Sequence, residues 1–207
     1  IATGNAWSAL YLDASSSNTI TRSYLNGGIG DGAYIWIDSN WNVISHSTMT
    51  STAGNKYGLF IRASSNTISD SFIHNSGDTA LEIWTEPGNL VMDSTVPSLG
   101  TGYSPALNIV SATSSTITRC YVSNPNSIGL SLDSAEYTSI SYSTAIGGGG
   151  WYGLYYNGGS SNTTTHSNLY AGGNAAARGA QDWYSNVYDS TLTSDDPSYA
   201  TLEAWPG

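Results

Sequence analysis

The sequence predicts an all-β solenoid, a single rod of stacked coils. Three observations predict it. An anchor, apolar in every copy but Thr164, returns at Ile20, Ile44, Ile68, Val91, Ile117, Ile140, Thr164 and Val187, in steps of 23 to 26 residues. Three residues after each anchor stands a small residue: Ser23, Ser47, Ser71, Ser94, Cys120, Ser143, Ser167 and Ser190. Around these positions apolar and polar residues alternate with period two, which is the signature of strands and not of helices. One such coil cannot bury its apolar face alone; stacked coils bury it continuously.

Each coil holds three short apolar steps. The first is an upstream pair, read as Leu10-x-Leu12, Ile35-x-Ile37, Leu59-x-Ile61, Leu81-x-Ile83, Leu107-x-Ile109, Leu130-x-Leu132 and Leu154-x-Tyr156. The anchor is the second. The third follows the small residue, at Leu25, Met49, Ile73, Val96, Val122, Ala145, Leu169 and Leu192. Ser, Asn and Gly bound every step, as expected for turns. With coils about 4.8 Å apart, seven to eight of them make a rod roughly 35–40 Å long. The whole chain reads as one domain: a lead-in over 1–8, coils over 9–192 and a tail over 193–207.

Taken in order, the lead-in offers Trp7 as a lid on the core. The loop Asn26–Gly32 is Gly-rich but lacks the following helix and Lys of a phosphate cradle. The run Gly147–Gly150 reads as a flexible hinge beside Trp151 and Tyr152. A short helical turn is expected at Ala175–Arg178. In the tail, Leu202 and Trp205 are candidate plugs over the end of the rod.

The pattern G-L-x-I-x-x-S-S-N-T-I-S-x-S-x-I over Gly58–Ile73 resembles the repeat of right-handed parallel β-helix proteins, the pectate-lyase-like superfamily. The resemblance covers residues 9 to about 192 and implies a right-handed parallel β-helix of about seven to eight coils with ~24-residue repeats. It fixes no single activity, because such folds serve lyases, hydrolases, epimerases, tailspikes, adhesins and structural proteins. In the enzymes of this superfamily the cleft runs along the first-strand face. The motifs of its galacturonan hydrolases, alginate epimerases and pectate lyases are missing here.

Outward positions of that face form two columns in the register above. One reads Tyr11, Trp36, Phe60, Glu82, Asn108, Ser131, Tyr155; the other reads Asp13, Asp38, Arg62, Trp84, Val110, Asp133, Asn157. Asp38 and Arg62 are then neighbours within ion-pair reach, with Glu82 diagonal to Arg62. Asp38, Arg62 and Glu82 are the candidate catalytic acids and base. Tyr11, Trp36, Phe60, Trp84 and Tyr155 are candidate contacts for a carbohydrate or a neighbouring subunit. The same columns also read as a structural face in which Arg62 relieves repulsion between acids.

Composition narrows the partners. Only 10% of residues are charged, the net charge is −10 and the basic residues number 5. Such a surface cannot neutralise phosphates, which excludes nucleic acid. No apolar run is long enough to insert in a membrane. The chain starts at Ile1 and not Met, which suggests a processed, secreted product. The lone Cys120 and the scattered His46, His74 and His166 form no metal cluster. Acidic turns near Asp31 and Asp38 are where a calcium ion could sit, but no loop has the spaced Asp pattern of a dedicated site, and no cofactor is expected. Asn162-Thr-Thr is the single N-glycosylation sequon. The bend column Arg22, His46, Asp70, Asp93, Arg119, Tyr142, His166, Asp189 is read as solvent-facing.

Three functional readings follow. The first is an extracellular structural protein that self-associates into a homopolymer such as a filament, sheath or surface layer. The second is a polysaccharide lyase or glycoside hydrolase that uses the first-strand face. The third is a non-catalytic carbohydrate-binding adhesin.

Overall fold

The computed structural model describes residues 1–3, 7–180, 185–196 and 202–204. Parallel strands form three sheets of nine, nine and eight strands, with no helix among the described residues. Neighbours within a sheet are three elements apart in the chain, so each coil contributes one strand to each face. The first face runs from Leu10–Leu12 through Leu59–Ile61 and Leu81–Trp84 to Leu202–Ala204. The second face carries the anchors, and the third begins with Ala2–Thr3.

The core is a set of like-on-like stacks. Ile35, Ile61, Ile83, Ile109 and Leu132 lie in register on the first face, and all are fully buried. Ile44, Ile68, Val91, Ile117 and Ile140 do the same on the second. One anchor is polar: Thr164 is fully buried. Its hydroxyl meets Tyr156 Oη at 2.7 Å, so the larger Tyr on the first face fills the space beside it and satisfies it.

Two polar ladders stitch the corners. Asn42, Asn66 and Asn89 each accept with Oδ1 the backbone N–H of the Asn one coil earlier, at 2.8, 2.8 and 3.0 Å. The ladder lapses where Ser115 and Thr138 replace Asn, and both of those buried hydroxyls have no hydrogen-bond partner. It resumes at Asn162, whose Oδ1 takes Thr138 N–H at 2.9 Å and whose Nδ2 donates to Ala135 O at 2.8 Å. Asn162, the sequon residue, is completely buried, with both ends of its amide engaged in the ladder. In the second ladder, Ser47, Ser71 and Ser94 accept a backbone N–H from the coil before and donate to the carbonyl two residues back. Cys120 takes a place in this column, with Sγ 3.3 Å from Thr118 O, and burial pushes its thiol up to about 11.

The second coil differs from the expected register. Its strand is Ala33–Ile35, two residues earlier than Ile35-x-Ile37, and Ile37 is exposed. The reason is steric. Ala9, Gly32, Gly58, Ala80, Ala106, Gly129, Gly153 and Ala176 each precede a first-face strand, at a corner that admits little or no side chain. A Cβ on Gly32 would lie 2.5 Å from Gly58 O, and one on Gly58 would lie 2.8 Å from His74 O. Gly32 therefore fixes Ala33 as the first residue of the strand.

Other expectations change as well. Ala2–Thr3 of the lead-in already pairs with Tyr24–Asn26. Ala177–Ala180 is a strand and not a helical turn. Leu202–Ala204 adds a ninth strand to the first face where a plug was expected; Trp205 lies outside the described residues. Gly147 and Gly148 are closely packed, with Cβ positions 2.0 Å from Tyr152 O and 2.2 Å from Pro125 O, so the expected hinge opens with a tight corner.

Asn66→Ala removes the acceptor of Asn42 N–H inside a buried corner. Urea unfolding should show a loss of about 2 kcal/mol. Cys120, 3% exposed, should stay unreactive to a thiol reagent at pH 8 in the native state and react at once in denaturant.

Candidate functional site

The corrected register rebuilds the first face. One outward column runs Tyr11, Tyr34, Phe60, Glu82, Asn108, Ser131, Tyr155, Arg178. Arg62, Trp84, Val110, Asp133 and Asn157 follow in the other, one residue after the last inward position of each strand. Trp36, next to Ile35, is the neighbour of Arg62 on its N-terminal side. Asp38 lies two residues further on, exposed in a bend with φ of 60°. The expected Asp38–Arg62 ion pair does not form, because the two-residue shift puts an indole where the carboxylate was expected.

Aromatic rings line the first coils of this face. Tyr11 stacks on Tyr34 at 5.6 Å and Tyr34 on Phe60 at 4.6 Å. Trp36 leans on Tyr34 at 5.5 Å, and Tyr57 packs on Phe60 at 5.0 Å. Phe60 is only 4% exposed, so it supports the other rings from below and is not itself a contact. The Arg62 guanidinium lies between two indoles, 4.7 Å from the Trp36 ring and 4.6 Å from the Trp84 ring. A cleft of about 630 Å³ opens here between Trp7, Ser8, Tyr11, Asp31, Tyr34, Trp36 and Lys56. Trp7, expected as a lid on the core, is exposed and forms one wall of this cleft.

Carboxylates occupy the floor and one wall. Asp31 is 3% exposed and is consumed by protein donors: Tyr57 N at 2.9 Å, Ser8 Oγ at 3.2 Å and Lys56 Nζ at 3.4 Å. It is a structural acid, and no group of three metal-ligating side chains occurs among the described residues. Glu82 accepts from Tyr57 Oη at 3.2 Å and from Asn108 Nδ2 at 3.3 Å. Burial raises its carboxyl above the ordinary value, against the two hydrogen bonds that favour the charged form. Burial and the nearby Glu82 charge push Tyr57 up as well, so it stays a donor. Asn108 Oδ1 is buried without a donor.

A second aromatic group lies further along. Tyr155 stacks on Tyr152 at 5.2 Å, and Tyr103 meets Trp151 and Tyr155 edge-on. Arg178 lies over the Tyr152 ring at 5.1 Å, and Tyr103 Oη bonds Ser131 Oγ at 3.1 Å. Between the two aromatic groups the floor is Glu82, Asn108, Ser131 and Asp133. Of the three expected catalytic residues, Arg62 and Glu82 share the face and Asp38 leaves it. Sequence reasoning missed Tyr34, Tyr57, Tyr103 and Tyr152. Tyr34 was legible from the small residues before each strand; the other three reach the face from loops, which a strand pattern does not reveal.

The bend column points outward, as expected. All eight of its residues have positive φ, from 45° to 51°. Arg119 binds Asp93 in a fork at 2.7 and 2.8 Å on the open surface and holds that carboxyl below its usual value. Tyr142 stacks on His166 at 4.9 Å.

A family model described as a right-handed β-helix region matches residues 8–170. No curated protein sequence matches the chain significantly. Among solved structures, the enzymatically active domain of tailspike protein 2 from bacteriophage CBA120 superposes with a TM-score of 0.61 at 12% identity. That match covers 72% of this chain and 23% of the other. Full-length tailspike protein 2, from an Escherichia coli O157:H7 bacteriophage, gives 0.61 at 10% identity over 90% of this chain and 25% of the other. The A-module of a mannuronan C-5 epimerase from Azotobacter vinelandii gives 0.45 at 10% identity, over 95% of this chain and 74% of that one. The chain thus spans about a quarter of the length of the tailspike chains it matches.

Glu82 tests the electrostatics of the floor. Its folded-state pKa is raised, so the native state binds more protons than the unfolded chain just above the ordinary Glu value, and stability falls as pH rises through that window. Glu82→Gln should raise Tm at pH 7, and the difference from wild type should shrink as pH falls towards 4.

Proposed function

We propose that this chain, which belongs to the right-handed β-helix family, binds a polysaccharide along the aromatic groove of its first face. The carrying observation is the continuous stack of Tyr11, Tyr34 and Phe60 flanked by Trp36 and Trp84 beside an open cleft. Aromatic faces pack on the C–H faces of sugar rings, and the few polar groups around them fix orientation by hydrogen bonds to hydroxyls. Glu82 supplies an acceptor between the two aromatic groups. The strand spacing of about 4.8 Å also repeats contacts on a length comparable to one sugar unit.

Binding fits this face better than cleavage. Glu82 is the one expected catalytic carboxylate that remains on the floor. Asp133, the next outward acid, stands two strands further along and in the other column. That arrangement suits a carbohydrate-binding surface of the adhesin type, acting outside the cell. The first coils are recessed around the cleft, which favours a threaded glycan over the flat face a self-assembling filament subunit would use.

Affinity electrophoresis in gels containing soluble polysaccharides tests this reading, with sedimentation across a concentration series alongside. Retardation by at least one polymer is expected, with the free chain monodisperse and no new reducing ends formed. Trp36→Ala should weaken binding about tenfold while leaving the fold intact, a loss typical of an aromatic anchor. Ordered fibres with no retardation would replace this reading with the self-assembling one.

A further inference from the structure

We propose that Arg62 is a carboxylate-binding site, which reads an acidic sugar set among neutral ones in the polymer bound by this groove. The inference rests on the glycan-binding reading above and names the substrate class of the same face.

The argument starts from what the guanidinium lacks. Both of its faces are covered by indoles, at 4.7 and 4.6 Å. Stacking leaves the edge of the planar group as the direction in which its N–H donors can act. Among the described residues no hydrogen bond or ion pair occupies that edge. The net charge of the chain is −10. Of the other four basic residues, Lys56 meets Asp31, Arg119 meets Asp93 and Arg178 lies against Tyr152, while Arg22 stands exposed in the bend column.

The nearby acids do not claim Arg62. Glu82 is held by Tyr57 and Asn108, and Asp38 lies exposed in the turn after Trp36. Two Trp rings therefore fix a fork of donors, half-buried and oriented before any ligand arrives. A carboxylate matches that fork with two parallel charge-assisted bonds. A neutral hydroxyl matches one donor at most. Fixing the side chain in advance removes much of the ordering cost of binding.

The rest of the floor limits the charge of the polymer. Glu82 and Asp133 lie on the same face, one and three coils beyond Arg62, so a second acid next to the first on that side would meet carboxylates, with no cationic side chain among the described residues between them. A polymer with one uronic acid per repeat among neutral sugars satisfies both constraints; an unbroken polyuronate does not.

NMR of protein labelled with ¹⁵N in Arg and Trp separates the two levels of this argument. The probes are methyl β-D-glucuronide and methyl β-D-glucoside, titrated into the millimolar range. Signals are assigned with Arg62→Gln, Trp36→Phe and Trp84→Phe. Both sugars should shift the Trp36 and Trp84 indole N–H signals. The glucuronide alone should shift Arg62 Nε–H and bind about tenfold more tightly. Arg62→Gln should erase that advantage but keep the indole response. Arg62→Lys, which keeps the charge and loses the fork, should erase most of it.

An unmoved Arg62 with equal affinities would overturn the inference and leave glycan binding standing. Silent indoles with both sugars would overturn glycan binding itself. With polymers, hyaluronan, which alternates acidic and neutral sugars, should bind more tightly than polygalacturonate; the reverse order would overturn the restriction to spaced acids.

Discussion

The structure depends on the corner that opens each first-face strand. There the chain passes from one coil to the next with backbone atoms so close that a Cβ barely fits. Gly32, Gly58, Gly129 and Gly153 would each place a Cβ within 3 Å of neighbouring backbone atoms. Real Cβ atoms do not approach so closely, and glycine removes the conflict at the cost of chain entropy. The other corners take Ala, whose methyl group is buried at Ala80, Ala106 and Ala176. This contact sets where each strand starts. Because side chains alternate, the start decides which residue faces the core and which faces the groove.

Consequences run from that corner to the chemistry. Gly32 makes Ala33 inward, Tyr34 outward, Ile35 inward and Trp36 outward. A slip of two residues keeps inward positions inward, so the pattern Ile35-x-Ile37 also satisfies the alternation. It gives a different neighbour for Arg62. With Asp38 beside it, Arg62 would be an ordinary surface ion pair of small energetic value. With Trp36 and Trp84 beside it, the same residue becomes a held cation whose faces are covered and whose edge is open. One backbone contact several residues away thus changes the role of the side chain.

The fold was legible because stacking imposes like on like. Three columns, of anchors, of small residues after them and of apolar residues beyond, recur at every coil, and each corresponds to one sheet or one corner ladder. The Ser, Asn and Gly between the steps were legible as turns, and at Asn42, Asn66 and Asn89 the turn amides bond coil to coil. What the sequence hid was of two kinds. Register in the second coil is missed by the apolar alternation because Ala33 is small, and only the small corner residue before it, Gly32, marks where the strand starts. The walls of the groove were hidden because Tyr57, Tyr103 and Tyr152 come from loops whose paths no periodicity describes. Asn162 shows a third limit, since a surface modification motif and a buried ladder position can share the same three residues.

The same stacking that makes the core regular makes the groove irregular. Inside, a column of identical residues is the best solution, because each side chain sees the same neighbours above and below. Outside, a column of identical acids would repel itself and a column of identical aromatics would be an open apolar strip. The face solves this by segregation: rings and Arg62 in the early coils, Glu82 to Asp133 in the middle, and rings with Arg178 beyond. Each segment stabilises the next. Phe60 is buried under its neighbours, which orders Tyr34 and Trp84. Tyr57 packs on Phe60 and reaches over to hold Glu82. Glu82 and Arg62 stand on adjacent coils, and each is held by its own neighbours: Glu82 by Tyr57 and Asn108, Arg62 by Trp36 and Trp84.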